Sequence, residues 1–447
     1  MEIAALIPSF GNLAFTIAAF VVALSIIIAV HEFGHYIVGR WSGIRAEVFS
    51  LGFGPVLASR VDRHGTRWQV AILPLGGYVK FLGDRDPASS PDSEAMGSLD
   101  AEGRRASMHG APLWARTITV MAGPAFNFAL SFVLFAVLFM FRGVAADPVT
   151  VDDLYPLPSS EAHDLRRGDV ILAIDGSQVP EADAFGEFSA GLDAAPDLTY
   201  TVLRDGREFD VAGPWLYPPI VAATTPASAA SNAGLVRGDV IVSVDGMEIH
   251  DFDALRQAVS ASDGGSVTLD VWREGRGNRT VTLTPTKFDL PAPGGGFETR
   301  WLIGVTGALA FEPAIVTPMP GEALAYGLDQ VQFIIRSSLS GVYHMVAGDI
   351  STCNLSGPIG IAEVSGQAAS QGWFTFVWFI ALLSTAIGLI NLFPIPVLDG
   401  GHLVFHAWEA VTGRPPNDGL TKLLMTGGLL LLLALMAFAI GNDIVCP

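Results

Sequence analysis

Charge is scarce in this chain of 447 residues. Only 15% of it is Asp, Glu, Lys or Arg, against 50% hydrophobic, a balance that excludes an ordinary soluble protein. Positive charge is scarcer still. Lys and Arg number 25 against 44 Asp and Glu, for a net charge of −19, which argues against a nucleic-acid partner. Cysteine occurs twice, at Cys353 and Cys446. One disulfide in an oxidising compartment and two separate thiols are equally open, because spacing alone does not give a Cα separation. The first long apolar stretch has no basic residue before it and exceeds a signal-peptide core, so a retained helix is expected rather than a cleaved leader. The apolar segments do not repeat one another as the halves of transporters usually do, which argues against a transporter with an ion path.

What is present is apolar length. Four uncharged stretches, residues 3–30, 117–141, 373–398 and 423–441, reach the roughly 20 residues needed to cross a bilayer. The expected fold is a polytopic α-helical membrane protein with four transmembrane helices. Its segments are 1–45 (first membrane helix), 46–113 (a β loop and polar linker), 114–142 (second helix) and 371–402 and 419–441 (third and fourth helices). Two small α+β domains, 147–215 and 216–290, and a linker, 291–370, lie between helices two and three. Within that linker, residues 322–348 read as an amphipathic helix, for which a membrane surface and ordinary packing are both open. The stretch from Arg40 to Arg67 holds Arg40, Arg45, Arg60, Arg63 and Arg67 against Glu47 and Asp62. A basic excess beside a membrane helix marks the cytoplasmic side. Residues 143–372 carry 12 basic and 30 acidic residues and are expected on the outer side.

That outer segment contains a repeat. "DLRRGDVILAIDG" from Asp164 and "GLVRGDVIVSVDG" from Gly234 lie 70 residues apart, each pairing a Gly-Asp turn with an alternating strand and an Asp-Gly turn. The second copy, with Gly234, Leu235, Gly238 and Asp239, closely resembles PDZ domains of the bacterial kind; the first is looser. That resemblance implies binding of peptide C-termini as an added strand, although the pair could equally act as an obstruction. Residues 46–81 alternate polar and apolar with glycines flanking each strand, and read as a small sheet beside the first helix.

Chemistry is concentrated where the first helix ends, at "HEFGH". His31 and His35 are one helical turn apart and share a face, so both imidazoles reach one metal ion. Glu32 sits beside the first ligand, placed to take a proton from metal-bound water, in the HExxH pattern of zinc hydrolases. A catalytic zinc needs a third protein ligand. Asp399, in "NLFPIPVLDGGH", is the only acidic residue between Glu363 and Glu409 and appears where the third helix reaches the same side; His402 is a rival. Pro394 and Pro396 break that helix, and Gly400 and Gly401 permit a tight turn. In "MAGPAFNF", Gly123 permits close helix packing. Asn127 is placed either to hydrogen-bond a substrate carbonyl or oxyanion or to glue helices together.

HExxH on the first helix, GxxxN on the second and NxxPxPxLDGG ending the third together resemble the site-2 protease family of intramembrane zinc metalloproteases. "PLGGYVK", the paired PDZ-like domains and "LSGPIGIA" resemble its bacterial sigma-E-regulating branch. The resemblance covers nearly the whole chain. It implies one Zn2+ per chain on His31, His35 and Asp399, with Glu32 as general base and then acid. It implies that Asn391, with Asn127, assists substrate or oxyanion. It also implies that the β loop is membrane-associated, with Gly52, Phe53 and Gly54 near the zinc and an unwound substrate held as an added strand. The implied partners are the lipid bilayer and single-pass membrane proteins, such as a pre-trimmed anti-sigma factor or signal-peptide remnants. The implied location is the bacterial inner membrane, with the PDZ-like pair outside. A membrane-anchored PDZ receptor with a structural metal is the alternative.

Overall fold

The computed structural model describes residues 7–85, 92–158, 164–181, 184–192, 197–225, 228–291 and 297–445. In chain order its principal elements begin with α1 (Ile7–Trp41), β1 (Ala46–Val61), β2 (Arg67–Phe81) and α2 (Leu113–Arg142). They continue with α3 (Pro320–Ala347), α4 (Pro358–Ser370), α5 (Trp373–Asn391), α6 (Asp399–Thr412) and α7 (Asp418–Val445). Helices α1, α2, α5 and α7 are long and apolar enough to cross a membrane, so the chain is a polytopic membrane protein with an inserted sheet-rich region. Cys446 lies outside the described residues.

The chain forms two compact units. The first holds the membrane helices and β1–β2. Small residues let its helices approach closely: a Cβ on Gly34 of α1 would sit 2.5 Å from the Ala122 carbonyl oxygen of α2. Between α2 and α5 the contact combines ring packing, Phe135 on Trp378, with hydroxyl hydrogen bonds. Ser131 Oγ donates to Ala381 O at 2.8 Å and Ser384 Oγ donates to Asn127 O at 3.0 Å, the small-residue glue of membrane interfaces. Arg116 at the start of α2 donates to both carboxylate oxygens of Glu409 on α6, at 3.1 and 2.6 Å, and thereby holds α6 beside α2.

β1 and β2 are each bent, so two strands make an antiparallel sheet four segments wide. Val48 pairs with both Lys80 and Arg67, Ser50 with both Tyr78 and Gln69, and Val56 with Ala71. The order across the sheet is therefore residues 77–81, 46–51, 67–71 and 56–61. The bend in β1 falls at Gly52 (φ 91°) and Gly54 (φ 86°), a left-handed conformation that favours glycine. The half nearest α1 is buried: Phe49, Val79 and Phe81 pack with Tyr36, Ile44 and Val120. The far half exposes Phe53, Val56, Leu57, Val70, Ile72 and Leu73, the reverse of a soluble hairpin.

The second unit contains the repeat, and the two copies are built alike. Strands Val170–Ile174, Asp197–Arg204 and Arg207–Pro214 pair as Val240–Val244, Val267–Arg273 and Gly277–Leu283 do. In each Asp-Gly turn the aspartate has positive φ, Asp175 at 46° and Asp245 at 50°. Its Oδ1 accepts from a neighbouring strand, Thr199 N or Thr268 N. The copies are nested. Val305–Gly307 pairs with Val221–Thr224 in the second, then Phe311–Pro313 returns to pair with Val151–Leu154 in the first. Ile303 and Val305 enter the second core, and Ala310 and Phe311 the first. The residues following 290 thus close both copies.

The Gly-Asp turns carry a buried ion pair. Arg204 donates to both oxygens of Asp169 at 2.7 Å, and Arg166 N adds a third bond; Arg273 and Asp239 repeat the arrangement. Burial works to raise the Asp169 pKa, but the hydrogen bonds from Arg204 and Arg166 N overcome it and hold the carboxyl below its usual range. A depressed carboxyl stabilises the fold above its unfolded pKa of about 3.9 and loses that contribution as pH falls further. Hydrogen-exchange protection in Val170–Ile174, measured relative to the intrinsic rate at each pH, is therefore expected to be high at neutral pH and to fall below about pH 4. Asp169→Asn should show the reduced protection already at neutral pH; unchanged protection in that variant would remove the role given to the pair.

Candidate metal centre

The HExxH residues lie inside α1, where helical spacing turns His31 and His35 toward one side. Asp399 arrives from the opposite direction, at the first turn of α6, after α5 has ended at Asn391. His31 Nε2 lies 3.1 Å from Asp399 Oδ2 and 3.1 Å from His35 Nε2, and His35 Nε2 lies 3.5 Å from Asp399 Oδ2. Two ligand atoms on a tetrahedral zinc, with bonds of about 2.0–2.1 Å, stand roughly 3.3 Å apart, so the triangle fits one ion. Asp399 Oδ2 is buried and makes no hydrogen bond among the described residues despite its two neighbours. The three atoms lie close enough together to share one ion.

The loop that presents Asp399 is built by close packing. The Cβ of an alanine at Gly400 would lie 2.2 Å from Phe393 O, and at Gly401 2.5 Å from Ile395 O. Neither glycine has positive φ; they serve close approach rather than the tight turn expected of them. The strained residue is Val397, at φ 100°, a conformation rare for a β-branched side chain and characteristic of functional loops.

Each imidazole is oriented from behind. His35 Nδ1 donates to Thr119 O of α2 at 2.8 Å, which leaves Nε2 free to face the ligand triangle. His31 Nδ1 lies 3.2 Å from the buried carboxamide of Asn127. Gly123 brings α2 against both rings: a Cβ there would be 2.3 Å from His35 Nε2 and 2.7 Å from His31 Nε2.

A cavity of about 210 Å³ opens on the triangle, lined by His31, Glu32, His35, Asn391, Asp399 and His402, and by residues 77–79 of β2. Glu32 lies on this cavity but outside the triangle, as does His402. Asn391 donates Nδ2 to Ile387 O at 3.0 Å, which keeps its carboxamide at the cavity wall. Gly52, Phe53 and Gly54 do not line it. Phe53 instead stacks on Tyr78 with ring centroids 6.0 Å apart, and residues 77–81 are the sheet edge beside Glu32. In the second repeat Leu235 is buried in the core and Asp239 is taken by Arg273, while Gly234 and Gly238 adopt positive φ in the turn. Sequence reasoning missed Thr119, which acts through its backbone carbonyl and leaves no side-chain signature, and Val397, whose strain has none.

The comparisons with known proteins agree with this chemistry. The model of peptidase family M50 matches residues 19–435. A Rhizobium meliloti protein bearing a zinc metalloprotease name is 36% identical over 434 residues, covering 97% of each chain. An Agrobacterium fabrum protein with a name of the same kind is 34% identical over 435 residues, again 97% of each. The regulator of sigma-E protease RseP of Escherichia coli is 32% identical over 463 residues, covering 96% of this chain and 98% of its own. The chain belongs to peptidase family M50, the site-2 proteases, and is a zinc-dependent intramembrane protease.

Proposed function

We propose that this protein cleaves single-pass membrane proteins in or beside their membrane segments, using one zinc ion held by His31, His35 and Asp399. The observation that carries this reading is the convergence of three ligand atoms on a cavity that also holds Glu32 and a sheet edge. When bound, the metal supplies a Lewis acid that polarises the scissile carbonyl and acidifies water. Glu32 accepts the proton of the attacking water and returns it to the leaving amine. The 77–79 end of this sheet edge, beyond the Phe81 N–H already taken by Asp84, offers backbone groups to an unwound substrate segment, replacing hydrogen bonds its helix loses in a dry environment. Asn391 is placed to donate to the tetrahedral oxyanion.

Asn127 has a different task from the oxyanion role. A carboxamide turned by 180° is isosteric, and its Oδ1 is buried without a hydrogen-bond partner among the described residues. Turned toward His31, Oδ1 accepts the Nδ1 proton and leaves Nε2 as the coordinating atom. The exposed apolar half of β1–β2 is read as immersed in lipid. The nested repeats are read as PDZ-like domains on the outer face of the bacterial inner membrane, screening substrates that another protease has already trimmed. The metal site is then at the cytoplasmic side, where the arginines of residues 40–67 lie.

The test is cleavage of a single-span protein, with and without its external domain, by detergent-solubilised enzyme. The trimmed substrate should be cut and the full-length one spared. Chelator treatment should abolish cutting, and added zinc should restore it. Cleavage that survives removal of the metal would sink the proposal. Intact trimmed substrate alongside retained zinc would favour the anchored receptor with a structural metal.

A further inference from the structure

A second polar cleft lies at the C-terminal end of α1, away from the metal centre. It encloses about 220 Å³ and is lined by Tyr36, Arg40, Arg45, His64 and Thr66, among others. Arg40 Nη2 lies 2.7 Å from His64 Nε2, and Arg63 Nε donates to the same atom at 3.1 Å. One imidazole lone pair therefore gathers two guanidinium groups, and the Arg45 guanidinium stands 3.4 Å from where a Cβ on neighbouring Gly65 would be. Two guanidinium groups, those of Arg40 and Arg45, line one small cavity, and a third, that of Arg63, stands behind its His64 wall.

The two carboxylates nearby, Asp62 and Glu47, offset this charge only in part. Asp62 already accepts from Tyr36 Oη, Trp68 Nε1, His64 N and Thr66 N, and these donors hold its pKa at about 2 against the effect of burial. Glu47 pairs with Lys80 at 3.4 Å. Among the described residues, Arg40, Arg45, Arg60, Arg63 and Arg67 form no ion pair. In a chain of net charge −19, five unpaired arginines within 28 residues mark a place where the counter-charge comes from outside the chain.

The position says which anion. Trp41, at the last turn of a membrane span, is 75% exposed, as interfacial tryptophans are. Val61, at the end of β1 beside the arginine-rich turn, is exposed too. A guanidinium fork binds phosphate oxygens in pairs, and anionic headgroups are the phosphates present at this level. We propose that this cleft is a binding site for the phosphate of one anionic phospholipid, held by Arg40 and Arg45, with Arg63 adding its charge from behind His64. The lipid would join the end of α1, which carries His31 and His35, to the β1–β2 turn, whose sheet also presents residues 77–81 to the cavity.

Native mass spectrometry of the full chain, released from phosphatidylglycerol-containing detergent micelles, tests this. Wild type should retain one phosphatidylglycerol in preference to phosphatidylcholine. Arg40→Gln with Arg63→Gln should weaken retention at least tenfold, with zinc content unchanged as proof of folding. Arg256→Gln with Arg276→Gln, which removes the same charge elsewhere, should behave as wild type. Arg45→Gln alone gives a milder variant if the double one fails to fold. Equal retention by the cleft variants and wild type, or no lipid preference in wild type, overturns the site. Displacement of the lipid by millimolar inorganic phosphate would assign the cleft to free phosphate and overturn the lipid. None of these readouts depends on proteolysis, so they stand apart from the test of function.

Discussion

Glu32→Gln is expected to keep its zinc and to lose cleavage, with kcat/KM falling by about three orders of magnitude, within the range for removing a general base. The substitution preserves volume and leaves the three converging atoms of His31, His35 and Asp399 untouched, because Glu32 lies on the cavity wall and not in that triangle. What changes is proton chemistry: a carboxamide neither takes the proton of water nor returns one to the leaving amine. Zinc per chain, measured by elemental analysis alongside single-turnover cleavage, separates the two roles. A fall in zinc content parallel to activity would make Glu32 a ligand. Retained cleavage would move the base to another group on the cavity, of which His402 is the titratable candidate.

The site was more legible than its surroundings. HExxH announces itself because helical periodicity converts a spacing of four into a shared face, and Asp399 stands out as an isolated carboxylate in apolar sequence. Periodicity also marks the membrane helices and the strands at Val170–Ile174 and Val240–Val244. It is silent on which strands pair. Residues 46–81 read as alternating sequence, but the bend at Gly52 and Gly54 makes residues 67–71 partner two segments at once, and so the sheet edge at the cavity is 77–81. The return of Phe311–Pro313 to the first repeat depends on pairing over more than 150 residues, which no local pattern encodes. Arg204 and Arg273 are ordinary strand residues until folding places them on Asp169 and Asp239. Backbone carbonyls and strained dihedrals, as at Thr119 and Val397, have no letter in the sequence.

Gly123→Ala should uncouple the helix from the metal. Alanine favours a helix by about 1 kcal/mol over glycine, so α2 itself would be stabilised. The added Cβ, however, would lie 2.3 Å from His35 Nε2 and 2.5 Å from its Cε1, well inside contact distance. An imidazole could swing aside if it were free, but His35 is pinned to Thr119 O on the same helix, and His31 is backed by Asn127. Relief therefore requires that the ligand triangle open, and zinc affinity should fall by about a hundredfold, the upper end of what disturbing the groups behind a ligand does. Asn127→Leu, which removes only the support behind His31, should cost about tenfold. The readout is zinc retained against a chelator series, with Gly427→Ala as control, since nothing stands within 4 Å of a Cβ there. Wild-type affinity in Gly123→Ala would mean that the two imidazoles do not meet α2 in the metal-loaded enzyme, and the triangle drawn here would have to be rebuilt around a different helix packing.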